Sequence, residues 1–111
     1  MDRTPSQMSA LAAIDNHGPL TLKALAEHEG VAPPSITKVL AILEDDGLVS
    51  RSIDAEDRRV SYVTTTKKGS ALVAESRRRK TAWLAGRVRE LSPEAQTKLA
   101  EALDILEELT K

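Results

Sequence analysis

The chain has 111 residues, which is close to the usual size of one domain and enough to bury one hydrophobic core. It has no cysteine, which excludes a disulfide framework and a thiolate metal site. One Trp, one Tyr and no Phe argue against a surface that stacks single-stranded bases. The net charge of −1 excludes a uniformly basic coat, but basic residues concentrate between positions 38 and 80 and acidic ones between 94 and 108. The composition therefore allows a local basic face.

Two short helices are predicted first. Thr4 caps a helix that should end near Asn16, before turn-forming residues. Leu20 predicts a very short strand, and Thr21 caps a second helix that ends at Gly30.

A third helix and a hairpin follow. Pro33-Pro34 suits a first helical turn, and apolar residues then repeat at helical spacing: Ile36, Val39, Leu40 and Leu43. Two β-forming runs, 49–53 and 60–63, enclose the charged segment 54–59 and predict a hairpin.

Two longer helices complete the chain. The first is expected from Thr66 to about Leu91, and the second begins at Ser92-Pro93. An apolar stripe on the last helix should find a partner, with Trp83 contributing from the preceding helix. The residues predicted to mediate dimerisation are Trp83, Leu99, Leu103, Leu106 and Leu109.

The order of elements predicts a mainly α fold with a small β-hairpin wing. Residues 4–69 form a winged helix-turn-helix core and residues 70–111 a C-terminal helical dimerisation region, in one continuous folding unit. If the apolar side of the third helix faces the core, its other side faces solvent with small and polar residues: Pro34, Ser35, Thr37, Lys38 and Ala41. Such a surface suits the major groove of DNA, although any amphipathic helix exposes polar residues.

The hairpin tip strengthens the DNA-binding interpretation. Arg59 is predicted to enter the minor groove, and Asp57 is predicted to hold its guanidinium extended. Arg51 and Arg58 add basic contacts. The alternative is a solvated turn whose ion pairs contribute about 0–1 kcal/mol.

No constellation indicates catalysis, a metal site or a cofactor. His17 and His28 lack further ligands at suitable spacing, and no Ser/His/Asp set or phosphate-binding glycine loop is present. The sequence has no signal peptide or membrane span, so we expect a cytoplasmic protein that is not an enzyme and has no membrane partner.

Four short motifs stand out between Thr21 and Gly69: Leu25-Ala26, Thr37-Lys38, Gly47-Leu48-Val49 with Arg51, and Asp57-Arg58-Arg59. Through these motifs the segment resembles the winged-helix core of the MarR family of bacterial transcriptional regulators. The resemblance extends weakly through the last two helices, which mediate dimerisation in that family. It implies a homodimer that binds a palindromic operator in double-stranded DNA and is often released by small aromatic or phenolic ligands.

The sequence departs from the family pattern at three places, and each departure leads to a structural prediction. Only Met1-Asp2-Arg3 precede Thr4, where members usually have a long helix, so we expect a form that lacks part of the dimer framework. Ala32 stands where a capping Ser is common, which leaves Pro33-Pro34 to fix the start of the helix. Thr65 replaces a common leucine and is expected to loosen packing at the root of the wing.

The sequence thus predicts a sequence-specific DNA-binding transcriptional regulator, a ligand-responsive repressor that acts as a homodimer. The alternative is a winged-helix protein-interaction module, or a shortened regulator without productive DNA binding. Salt dependence of duplex binding separates the two.

Overall fold

The computed structural model describes residues 3–110, which form five helices and three strands. In chain order they are α1 (Pro5–His17), β1 (Leu20–Thr21), α2 (Leu22–Glu29), α3 (Pro33–Asp45), β2 (Val49–Ile53), β3 (Ser61–Thr65), α4 (Lys67–Arg89) and α5 (Pro93–Leu109). The chain divides into two compact units, Met1–Glu75 and Ser76–Lys111, with the boundary inside α4. The predicted mainly α fold with a wing is confirmed.

The helices begin where local capping chemistry directs them to begin. The Thr4 hydroxyl accepts a hydrogen bond from Gln7 N at 3.2 Å, and Thr21 does the same for Ala24 N at 3.0 Å. Ala32 makes no side-chain capping bond, so the two prolines that follow it define the start of α3. The predicted starts of the first three helices are therefore confirmed.

The wing belongs to a three-stranded antiparallel sheet with strand order β1-β3-β2. The sequence predicted a hairpin, but β1 also pairs with β3, with Leu20 opposite Val63. Val60 was predicted to begin a strand, yet its N–H donates to the Asp57 carbonyl at 3.0 Å and it lies in the turn. The wing strand β3 starts one residue later.

The core of the N-terminal unit is made by one side of each of its first three helices together with the sheet. On α3, Ile36, Leu40 and Leu43 are buried and Val39 is partly buried, as the helical spacing predicted. The largest fully buried side chains of the unit are Leu11, Ile14, Leu25, Leu40, Leu43, Leu48 and Val63.

The root of the wing is held by hydrogen bonds of Thr65 that the sequence did not predict. The Thr65 hydroxyl donates to Asp15 Oδ1 at 3.0 Å, and the Ser70 hydroxyl donates to the same oxygen at 2.7 Å. One carboxylate oxygen of α1 thus binds the end of β3 and the first turns of α4. Hydrogen bonds to a charged acceptor contribute about 1.5–3 kcal/mol each, whereas the expected loosening of packing at Thr65 stays a prediction.

A second contact fixes the same root through the backbone. The Thr66 N–H donates to the Leu48 carbonyl at 3.0 Å, and the Thr66 hydroxyl donates to the Gly47 carbonyl at 2.7 Å. Gly47 has φ +72°, a conformation that glycine adopts without strain. The turn between α3 and β2 is therefore tied directly to the start of α4.

The C-terminal unit contains α5, which begins with a Ser92 cap on Ala95 N at 3.2 Å. None of its described residues is buried. The apolar stripe predicted for this helix is present, and its leucines are exposed in the isolated chain.

Replacing Gly69 with alanine should destabilise the fold, because the new Cβ would lie 2.0 Å from the Leu48 carbonyl oxygen. We expect a loss of roughly 1–3 kcal/mol in the free energy of unfolding, measured by urea denaturation. Gly86→Ala is the matched control on the same helix, since a Cβ there meets nothing within 4 Å. It should stabilise by about 0.5–1 kcal/mol. Equal effects of the two substitutions would contradict the close approach at Gly69.

Candidate nucleic-acid interface

The solvent-facing side of α3 carries the residues that the sequence singled out. All five of them are exposed, which confirms the predicted orientation of the helix: Pro34, Ser35, Thr37, Lys38 and Ala41. The Thr37 hydroxyl donates to the Pro33 carbonyl at 3.1 Å, so it offers lone pairs to a partner while that bond persists. Among residues 3–110, no acidic side chain forms an ion pair with Lys38, whose charge is available to a phosphate.

Arg51 on β2 lies against α3 and forms an ion pair with Glu44. Both side chains are about one-third exposed, at 33% and 35%. The pair joins the end of the helix to the first wing strand, and it partly neutralises Arg51, which the sequence predicted as a DNA contact. The sequence did not reveal Glu44 as the partner of Arg51, because the two residues are seven positions apart and lie on different elements.

The wing tip is an ordered turn. Asp54 N donates to the Val60 carbonyl at 2.9 Å, and the Asp54 carboxylate accepts from Asp57 N at 3.3 Å. These bonds close the loop between β2 and β3, so the tip side chains project from a defined backbone.

The predicted contact between Asp57 and Arg59 is present. Asp57 Oδ1 accepts from Arg59 Nε at 3.2 Å and from Arg59 N at 3.0 Å, while Oδ2 lies 3.4 Å from Nη2. The Arg59 side chain is nevertheless 90% exposed, and Arg58 beside it is exposed as well. The acid thus supports the arginine at one edge and leaves most of it open to a partner.

The same hydrogen bonds favour the charged form of Asp57. Bonding from the Arg59 side chain, and then from its backbone N–H, lowers the pKa of Asp57 below the ordinary value for aspartate. Asp57 therefore stays ionised into acid, and the pairing is lost only when the pH falls through that lowered pKa.

A basic cleft lies between the start of α2 and the wing. It has a volume of about 330 Å³ and is lined by Thr21, Leu22, Lys23, Arg59, Val60 and Ser61. The sequence did not single out Lys23 as a DNA contact. The feature that could have identified it is a basic residue in the first turn of a helix, where the helix dipole disfavours positive charge.

Two other kinds of feature are absent among the described residues, a cluster of metal ligands and a membrane-spanning helix. Within residues 3–110, no three His, Cys, Asp or Glu side chains converge as metal ligands would. No helix in the same range has the length and apolar composition needed to cross a membrane.

The residues predicted to mediate dimerisation are exposed apolar side chains in the C-terminal unit. Trp83 of α4 is 67% exposed, with Arg87 5.9 Å from its ring centroid. The four leucines of α5 are also exposed: Leu99, Leu103, Leu106 and Leu109. Surfaces of this kind are typical of protein contacts.

Comparison with known proteins finds similarity to helix-turn-helix transcriptional regulators. The model of the MarR family matches residues 4–61. An uncharacterized HTH-type transcriptional regulator of Mycobacterium leprae, ML2140, is 39% identical over 104 residues, which cover 94% of this chain and 73% of the relative. The HTH-type transcriptional repressor MdtR of Bacillus subtilis is 35% identical over 66 residues, which cover 60% of this chain and 43% of MdtR.

Among solved structures, Streptococcus pneumoniae FabT in complex with DNA matches with a TM-score of 0.77 and 23% identity, over 98% of this chain and 76% of FabT. That likeness shows the shared fold. The family match, the mycobacterial relative and the exposed helix-and-wing surface lead to one conclusion: the chain belongs to the MarR family and is a helix-turn-helix transcriptional regulator.

Proposed function

We propose that this regulator binds double-stranded DNA sequence-specifically, with α3 in the major groove and the wing tip at the minor groove. The observation that carries the proposal is the polar face of α3 together with Arg59, which is almost fully exposed yet held by Asp57. Because Asp57 already holds Arg59 extended, Arg59 would lose less rotamer freedom when it contacts DNA. FabT, which shares the fold, was solved in complex with DNA.

The side chains have distinct proposed roles. Ser35 and Thr37 read base edges, and Lys38 contacts a phosphate or a guanine edge. Pro34 and Ala41 are small enough to let the helix approach the groove floor. Further proposed contacts come from the wing and its flanks: Arg51, Arg58, Arg59 and Lys23.

Arg51 and Lys23 are proposed to serve this interface in different ways. The ion pair with Glu44 makes Arg51 first a positioning residue that keeps the wing strand against α3. Lys23 and Arg59 line one cleft, which is a suitable place for a phosphate between the helix-turn-helix and the wing.

We further propose that the protein acts as a homodimer on a palindromic operator, through the apolar stripe of α5 and Trp83. The support is the exposure of that stripe on a helix with no buried described residue. A two-fold protein reads two inverted half-sites. Repression is the proposed outcome, as in the name of MdtR, and the cytoplasm is the proposed compartment because the target is DNA.

The proposal includes release by a small aromatic or phenolic ligand, as the family resemblance implies. Its structural support is a groove of about 330 Å³ lined by residues of α1, the end of α2, the turn that follows α2, and α3. A ligand there would lie against the helix proposed to read DNA.

Duplex binding should weaken with salt, because phosphate contacts release counterions. The slope of log affinity against log salt should be about −0.9 for each phosphate neutralised, measured by fluorescence anisotropy with DNA recovered by selection from random duplexes. If Lys38 contacts a phosphate, Lys38→Ala should make the slope shallower by about 0.9, while Lys98→Ala in α5 should leave it unchanged. A flat profile for the wild-type protein would instead favour the interaction module.

A charge placed in the α5 stripe should break self-association. Leu103→Glu should shift the protein toward monomer in sedimentation velocity, because a carboxylate would be buried in an apolar contact. Thr97→Glu is the control, since Thr97 lies about 160° around the helix from Leu99. A Leu103→Glu variant that associates as strongly as wild type would refute the proposed interface.

A further inference from the structure

A groove in the N-terminal unit has walls suited to a small molecule. It lies between the start of α1 and the first turns of α3, with a volume of about 330 Å³. That volume is at the lower end of ordinary ligand sites. Its apolar lining comes from Pro5, Val31, Ile36 and Val39.

The electrostatic character of the groove is set by Glu29. Among the described residues that line it, Glu29 is the only charged one, beside apolar side chains and serines. Its side chain is only 12% exposed, and its hydrogen-bonded partner is His28 Nδ1, 3.3 Å from Oε2. A carboxylate with so little access to water is stabilised by a cation that enters the same space.

The backbone around the groove has few free N–H groups for an anion. The first turn of α3 is a usual place for anion binding, but Pro33 and Pro34 have no N–H. The N–H groups of Ser35 and Ile36 both bond to the Ala32 carbonyl, at 3.0 and 3.4 Å. The backbone of the helix that borders the groove therefore offers little to a negative group.

The start of α1 is similarly depleted of donors. Pro5 has no N–H, and the N–H groups of Gln7 and Met8 bond to Thr4 at 3.2 and 3.1 Å. A phenolate or benzoate would be repelled by the Glu29 carboxylate, and the donors left to it are neutral hydroxyls, those of Ser6, Ser9 and Ser35.

We infer that this groove binds a small organic cation, an aromatic or alkyl group joined to a positively charged nitrogen. Its apolar part packs on Val31, Ile36 and Val39, and its nitrogen faces Glu29. The role of this groove as an effector site rests on the proposed function. The link is Ser35, which lines the groove and is also a proposed DNA contact. The inference narrows the proposed aromatic effector to one that carries a positive charge.

The test compares two ligands of similar shape and opposite charge, benzyltrimethylammonium and phenylmethanesulfonate. Each is titrated into the full chain without DNA by calorimetry and by methyl NMR. The cation should bind more tightly and shift the methyl signals of Val31, Ile36 and Val39. Equal affinity for the two ions, or shifts elsewhere only, would overturn the inference without touching the DNA-binding proposal.

A charge variant tests the role of Glu29. Glu29→Gln should weaken cation binding by about tenfold or more, because it removes a charge-assisted contact. Glu27→Gln is the matched control, since it removes the same charge from an exposed position on α2 outside the groove. Glu29→Lys should reverse the preference toward the sulfonate. An unchanged cation affinity in Glu29→Gln would overturn the assignment, and the wild-type comparison of the two ions stands even if a variant folds poorly.

The effector role has its own readout. At a concentration that saturates the groove, benzyltrimethylammonium should weaken duplex affinity more than the same concentration of tetramethylammonium does, and Glu29→Gln should abolish the difference. Equal effects of the two cations on wild-type protein would overturn the effector role. Loss of duplex binding in all conditions would instead contradict the proposed function.

Discussion

The N-terminal unit depends on one crossing of the backbone, where Gly69 lies against the carbonyl oxygen of Leu48. A methyl group does not fit there, and the Thr66 N–H bonds to that same oxygen at 3.0 Å. The crossing joins the turn after α3, both wing strands and the start of α4. The Asp15 carboxylate stabilises the same region by accepting hydrogen bonds from the Thr65 and Ser70 hydroxyls. The wing and α3 are consequently fixed to one point of the core rather than to each other alone.

Two ion pairs hold the parts of the wing that lie farther from this crossing. The Arg51–Glu44 pair holds the first wing strand to α3, and the Asp57–Arg59 pair orients the tip. Exposed ion pairs contribute little to stability, typically about 0–1 kcal/mol. Their value here is orientation, since a long cation that is already extended loses less rotamer freedom when it meets a phosphate or a groove.

The features that the sequence predicted are those determined by near neighbours along the chain. The caps at Thr4 and Thr21, the inward and outward faces of α3, and the Asp57–Arg59 bond all involve residues within a few positions of one another. Each follows from helical spacing or turn chemistry.

The features that it missed depend on long-range contacts. Thr65 was interpreted as a lost leucine because its partner Asp15 is 50 residues away. Three other features also depend on segments that are distant along the chain and whose proximity a single sequence does not reveal. They are the pairing of β1 with β3, the cleft lined by Lys23 and the groove lined by Glu29. Short-range patterns fix the elements, whereas the clefts between them depend on how those elements pack.

We propose that the root of the wing positions its tip for DNA, and a double-mutant cycle on duplex affinity measures this coupling. Arg59→Ala is compared in the wild-type chain, in Asp15→Ala, and in Glu27→Ala as the control background, after circular dichroism has established that each is folded. Arg59→Ala should weaken binding by about tenfold in the wild-type and control backgrounds. The loss should be distinctly smaller in Asp15→Ala, where the tip is no longer held in place. The same loss in all three backgrounds would show that the tip acts independently of its root and would overturn the proposal.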